Sequence, residues 1–174
     1  KVAHGGHFIA RHEGQVFFIR HAIPGERVTI EVTSTGSSFL RADVVEVLEP
    51  SPDRVSPPCS YSHAGGGGGC DFQHISMRRQ RQLKADVIRE QFSRIAKMDI
   101  EVEVEEVGDP LHWRTRISSA TNSAGEIGFY ASRSHSVIPV KDCLIAAESI
   151  KFSELAKRTW PKESRIEISS SSEG

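Results

Sequence analysis

Three cysteines and a run of five glycines are the residues here with the plainest chemical potential. Cys59 stands alone, Gly65 to Gly69 run straight into Cys70, and Cys143 closes Val140-Lys-Asp-Cys143. A phosphate cradle needs backbone N–H groups converging on a helix N-terminus, and its P-loop form adds Lys and Ser/Thr after the glycines. Here Cys70-Asp71-Phe72-Gln73 comes next, and the Asp71 carboxylate would repel a phosphate. A free linker accounts for the glycines but not for thiols on both sides of them. Three cysteines are too few, and odd in number, for a secreted disulfide scaffold. The thiols are therefore read as reduced, in a cytoplasmic setting, and as free, catalytic or metal-bound.

Basic residues are the second concentration. Residues 76–97 predict a helix with Ser76 as N-cap and an apolar stripe of Leu83, Val87, Ile88, Phe92 and Ile95. Arg78, Arg79 and Arg81 crowd its first turn, with Lys84 beyond, and such density suits phosphate. Cations there oppose the helix dipole, a cost that a bound phosphate would relieve. Ile100-Glu-Val-Glu-Val-Glu-Glu alternates apolar and acidic residues, which predicts a strand with a solvated acidic face turned away from any bound polyanion. Trp113-Arg-Thr-Arg116 puts Arg114 and Arg116 on one strand face. A hairpin is expected around Asn122-Ser-Ala-Gly125, and Arg133 and His135 lie beyond it in Ser132-Arg-Ser-His135. The spacing of His4, His7, His12 and His21 fits neither a zinc finger nor a His-Glu-x-x-His helix, so these are assigned to a strand-rich surface. The chain carries no nucleophile elbow or Ser-His-Asp signature.

These groups must be positioned by short strands. Gln15–Arg20, Arg27–Thr33 and Phe39–Glu49 are strand-like, with a turn at Ile23-Pro24-Gly25-Glu26 and breaks at Gly5-Gly6 and Glu13-Gly14. In the third, Val45 and Val47 share one face and Val44, Glu46 and Leu48 the other, as in a strand curving round a closed core. Many short strands so spaced predict a small β-barrel ending at the prolines of 50–58. Charged residues at 26%, hydrophobic ones at 37% and a net charge of −1 describe a globular chain, and any nucleic-acid binding must come from local patches. No run is long and apolar enough for a membrane span. The fold class is thus mainly β / α+β. Its expected parts are an N-terminal barrel over 1–55, a Cys/Gly-rich loop over 56–75, and a central antiparallel-sheet domain with one long helix over 76–174.

Ala3-His-Gly-Gly-His-Phe-Ile-Ala-Arg-His-Glu-Gly-Gln-Val-Phe-Phe-Ile-Arg-His-Ala-Ile-Pro-Gly-Glu-Arg-Val-Thr-Ile-Glu-Val32 resembles the TRAM domain, an OB-like RNA-binding barrel. Ser51-Pro-Asp-Arg-Val-Ser-Pro-Pro-Cys59 and Gly68-Gly-Cys-Asp-Phe-Gln-His74 resemble the segment C-terminal to that domain in bacterial uracil-C5 RNA methyltransferases. The likeness continues through Arg81-Gln-Leu-Lys-Ala-Asp-Val-Ile88, Trp113–Ile117 and Gly125–Cys143. It implies that Arg11, Arg20, Arg27 and Arg41, with Arg78, Arg79, Arg81, Lys84, Arg114, Arg116, Arg133 and His135, face RNA. It also implies an iron–sulfur site: a lone cysteine, a Cys-Gly-Gly-Cys pair and a distant fourth ligand match Cys59, Gly67-Gly-Gly-Cys70 and Cys143. Gly67 stands where the remaining thiolate belongs, so the expected 4Fe-4S site is incomplete, with His63 or His74 as substitutes.

The family's chemistry further implies S-adenosylmethionine on a Rossmann-type domain, a cysteine attacking uracil C6 and a base for the C5 proton. No segment here matches these parts. The expectation is therefore the targeting part of an enzyme that makes 5-methyluridine in tRNA or rRNA, monomeric, cytoplasmic, without membrane contact, and inactive alone. A stand-alone TRAM-type RNA-binding adaptor and an iron–sulfur protein with a degenerate cluster site are the alternatives.

Overall fold

The computed structural model describes residues 1–67 and 69–171. Gly68, inside the expected Gly67–Cys70 ligand motif, and residues 172–174, at the end of the expected central domain, lie outside the described residues. The chain forms two compact units: Lys1–Pro57 with Asp71–Glu106, and Pro58–Cys70 with Val107–Gly174. Each unit thus takes two separate stretches of chain, unlike the consecutive order 1–55, 56–75 and 76–174 expected from the sequence.

The first unit is built on β1 (Phe8–His12), β2 (Gln15–Arg20), β3 (Arg27–Thr35) and β4 (Leu40–Glu49), in the order β1-β2-β4-β3. Glu13 and Gly14 both have positive φ, which is what a two-residue turn between β1 and β2 requires. β2 runs parallel to β4, and β3 antiparallel to it. Opposite β3 the register steps from Glu46 to Val44, leaving Val45 bulged out of the ladder. That bulge corrects the expected faces. Val44 and Val47 both turn to the core, while Val45 is 52% exposed.

The helix α1 (Met77–Gln91) closes this core with Leu83 and Val87. Ser76 caps it, its hydroxyl accepting from the Arg79 N–H at 3.4 Å. Regular α geometry ends earlier than the expected residue 97, passing into a π-helical turn at Phe92–Ala96 that Lys97 stops with φ +58°. Ile88, Phe92 and Ile95 are exposed, because only Leu83 and Val87 of the apolar stripe reach the sheet. Residues 100–106 form no strand. Arg89 donates to the Val102 carbonyl at 2.6 Å and Arg81 to Glu106 at 2.5 Å, so side chains of α1, not a strand ladder, hold the acidic segment.

The second unit carries an antiparallel sheet of β5 (Arg116–Thr121), β6 (Ile127–Tyr130), β7 (Val137–Pro139) and β8 (Arg165–Ser169), ordered β7-β6-β5-β8. The β5–β6 turn is held by the Asn122 side chain, which accepts from the N–H groups of Ala124 and Glu126. A short helix α2 (Phe152–Leu155) lays Phe152 on the core, its ring stacked 5.6 Å from that of Phe129. Gly65, Gly66 and Gly67 belong to this unit. Gly67 forms an antiparallel bridge with Ala131, and a Cβ on Gly66 would lie 2.1 Å from the Tyr61 carbonyl oxygen. The mainly β, α+β class read from the sequence is the class found.

Candidate nucleic-acid interface

On the first unit, alternation along the strands places Phe17 and Ile19 toward the core and Phe18 on the opposite face. Phe18 is paired across the ladder with Arg41. The Arg41 guanidinium lies 5.6 Å from the Phe18 centroid and 5.1 Å from that of Phe39, and the two rings meet edge to face at 5.2 Å. Rings and a guanidinium on one sheet face are the surface on which bases stack. Arg11, on β1, is exposed; Arg27 is exposed too, beside Glu49 at 3.2 Å.

Arg20 is placed otherwise. Its side chain is 7% exposed, donates to Asp71 at 3.2 Å and stands 3.7 Å from Asp43. A guanidinium so enclosed holds the fold together and offers nothing to a phosphate. Asp71, read as repelling phosphate at the glycine run, is half of this buried pairing. His21 beside it is buried with φ +63°, not on a binding surface, and burial with the Arg20 charge pushes its pKa down to about 4. Burial likewise lowers His74, whose ring is 5.8 Å from that of His21 and whose Nε2 is 3.0 Å from the Ala22 carbonyl.

At the start of α1 the arginines have protein partners. Asp53 accepts from the Ser76 hydroxyl at 3.0 Å and lies 3.6 Å from Arg78 and 3.9 Å from Arg79, while Arg81 pairs with Glu106. An acidic group brought in from outside the helix thus answers the dipole conflict that the sequence raised. Arg78 remains 76% exposed and Lys84 is exposed, whereas Arg79 and Arg81 are about a quarter exposed.

On the second unit, Arg116 and Ser118 of β5 alternate with buried Ile117 and Ser119, facing Arg165 and Glu167 of β8. With Trp113 and Arg114 they line a shallow cleft of about 520 Å³. The Arg114 guanidinium lies 5.7 Å from the Trp113 ring, which is 58% exposed. Glu167 accepts from Arg165 at 2.6 Å and lies 3.8 Å from Arg116. Hydrogen bonds from Ser118 and Arg165 hold its carboxyl below the usual range. Arg133, at φ +54°, and His135 sit exposed in the β6–β7 turn, with His135 edge-on to Tyr130. Sequence reasoning missed Phe18, Phe39, Trp113 and Arg165. An aromatic beside an arginine in Trp113-Arg-Thr-Arg116 was the available signal.

Cys59, Cys70 and Cys143 all belong to the second unit, half-buried. Burial pushes the Cys143 thiol up, and charge on Cys59 adds to the rise. Among the described residues no group of three or more Cys, His, Asp and Glu side chains gathers as metal ligands. The expected substitutes do not complete such a group either. His63 Nδ1 lies 2.6 Å from the Ala64 carbonyl, and His74 is committed to the core of the other unit. Clusters are held on thiolates, normally four, and three thiols that do not gather into one ligand group do not meet that need. The residues present do not fit an iron–sulfur cluster.

Residues 1–45 match the TRAM domain, so the OB-like reading of the first sheet stands. The whole chain resembles RNA methyltransferases. It is 43% identical over 181 residues to an uncharacterized RNA methyltransferase of Streptomyces coelicolor, covering 95% of this chain and 40% of that protein. It is 37% identical over 156 residues to the 23S rRNA (uracil(1939)-C(5))-methyltransferase of Shewanella amazonensis, covering 86% of this chain and 35% of that one. The chain therefore spans about two fifths of the length of the curated relatives it matches. In fold it resembles the Pyrococcus abyssi tRNA (uracil-54, C5)-methyltransferase, solved with S-adenosyl-L-homocysteine. The TM-score is 0.53 at 19% identity, covering 88% of this chain and 36% of that one. Among the described residues no helix is long and apolar enough to cross a membrane.

Proposed function

We propose that this chain is the RNA-engaging part of an S-adenosylmethionine-dependent RNA uracil-C5 methyltransferase, acting on rRNA or tRNA as a cytoplasmic monomer. The observation that carries the reading is the TRAM match at residues 1–45, joined to similarity with RNA methyltransferases over nearly all the chain. In the parent enzyme S-adenosylmethionine supplies the methyl group. The residues of this chain bind and orient the RNA. Phe18, Phe39 and Arg41 offer ring faces and a guanidinium to bases, while Arg78 and Lys84, with Arg11, Arg27, Arg133 and His135, offer hydrogen-bond donors to phosphates.

Salt dependence tests the reading. For single-stranded RNA the logarithm of the affinity should fall with the logarithm of salt by about 0.7 per phosphate contact. Replacing Arg78, Arg79 and Arg81 together by alanine should flatten that slope, with Arg78 contributing most because it is the most exposed. A chain that binds no RNA at low salt, or a slope the triple variant leaves unchanged, would remove the helix patch from the interface.

A further inference from the structure

We infer that the cleft on the second unit binds one unpaired nucleotide of single-stranded RNA, its base against the Trp113 indole and its phosphate against the guanidinium groups of Arg114 and Arg116. The inference rests on the RNA-engaging reading and adds to it a specific subsite.

Four observations carry it. First, the unit's own core does not use Trp113. Its other tryptophan, Trp160, packs on that core and donates its indole N–H to the Leu155 carbonyl, whereas Trp113 stands mostly in solvent. Second, the exposed ring rides on tethered backbone. The N–H groups of His112 and Arg114 donate to the carbonyls of Leu144 and Ile145, and Ala147 donates to that of Arg114. Backbone already tethered there has little freedom left to lose when a base lands on the ring. Third, three guanidinium groups line the cleft against one carboxylate. Glu167 engages Arg165 and Arg116, aiming their forks along the β5–β8 face, and Arg165 also donates to the Ser118 hydroxyl at 3.1 Å. The surplus is positive and suits a phosphate. Fourth, the shallow cleft, at about 520 Å³, has room for a nucleotide. A base inside a helix hides its face, so an indole selects unpaired ones.

The test uses the whole chain, an unstructured ten-nucleotide RNA, the same sequence as a duplex, and uridine 5′-monophosphate. The single strand should quench tryptophan fluorescence, and Trp113→Phe should abolish most of the quench while binding nearly as well. Trp113→Ala should weaken the single strand about tenfold, the loss of one stacked base, and leave the duplex unchanged. Arg114→Ala, at an exposed position, gives a second route, with a loss that shrinks as salt rises. Equal single-strand affinity in wild type, Trp113→Ala and Arg114→Ala overturns the subsite while leaving RNA binding elsewhere intact. Absence of RNA binding by the wild-type chain overturns the subsite and the broader reading together. Uridine 5′-monophosphate binding as tightly as the decamer would make this a free-nucleotide site and overturn the assignment to RNA.

Discussion

The two units handle charge in opposite ways. Among the described residues, the buried charged and titratable side chains Arg20, His21, Asp43 and His74 all belong to the first unit, where Glu26 and Arg54 form a further partly buried pair. Burial works to raise the Glu26 carboxyl, but hydrogen bonds from Arg54 and the N–H groups of Ser51 and Ile23 outweigh it and hold the group ionised. The buried polar groups of the second unit are hydroxyls: Ser62, Ser119 and Thr121, the last donating to the Pro161 carbonyl at 2.6 Å. Its arginines at the cleft and in the β6–β7 turn stand at the surface. An arginine count therefore does not map an RNA footprint. Arginine is a framework residue where carboxylates enclose it and a candidate for binding only where one flank stays open.

The comparison breaks most visibly under alanine substitution. Arg20→Ala leaves Asp43 and Asp71 without their cation, and removing one partner of a buried pair costs about 3–5 kcal/mol. Arg114→Ala and Arg165→Ala, at exposed positions, should stay within about 0.5 kcal/mol. Urea unfolding curves of the three variants would decide it, and equal midpoints would erase the distinction between the units.

The second unit has its own intolerance, to bulk at close backbone approach. Gly66→Ala drives a Cβ into the Tyr61 carbonyl and should cost about 1–3 kcal/mol, whereas Gly67→Cys meets open space and should be nearly neutral. Thermal melts reading the two substitutions alike would mean that the glycine run is a linker after all.

A smaller effect should appear with pH, and only where charge is buried. His21 has its pKa lowered by burial, so the unfolded chain binds its proton more readily than the folded one. The stabilisation is complete above the ordinary value of 6.5 and is lost as pH falls through the window down to about 4. His74 shifts the same way. The total loss is on the order of 2 kcal/mol once screening is allowed for. His21→Asn, which tolerates a positive φ, should flatten the dependence between these limits. A pH profile unchanged by that substitution would place the titration elsewhere.

The strand content, the β1–β2 and β5–β6 turns and the Ser76 cap were legible because each is set within a few residues: a pair of positive-φ positions, an Asn side chain reaching its own turn, a hydroxyl three residues before an N–H. The resemblance to RNA methyltransferases was legible for a different reason, several motifs in a fixed order. Periodicity could not give anything set by long-range partners. The Val45 bulge depends on the register of β3 against β4, the end of the packed stripe on how far α1 overlies its sheet, and the acidic segment on Arg81 and Arg89 rather than on a ladder. So it is with the candidate site. The sequence alone determined which residues carry charge, rings and thiols. Only the tertiary structure decided that Arg20 lies between two carboxylates, that Trp113 and Arg165, 52 positions apart, share one cleft, and that the three cysteines do not form a ligand set. Burial and neighbouring charge arise from segments far apart along the chain, and those two quantities settle whether a cation binds its own protein or something else.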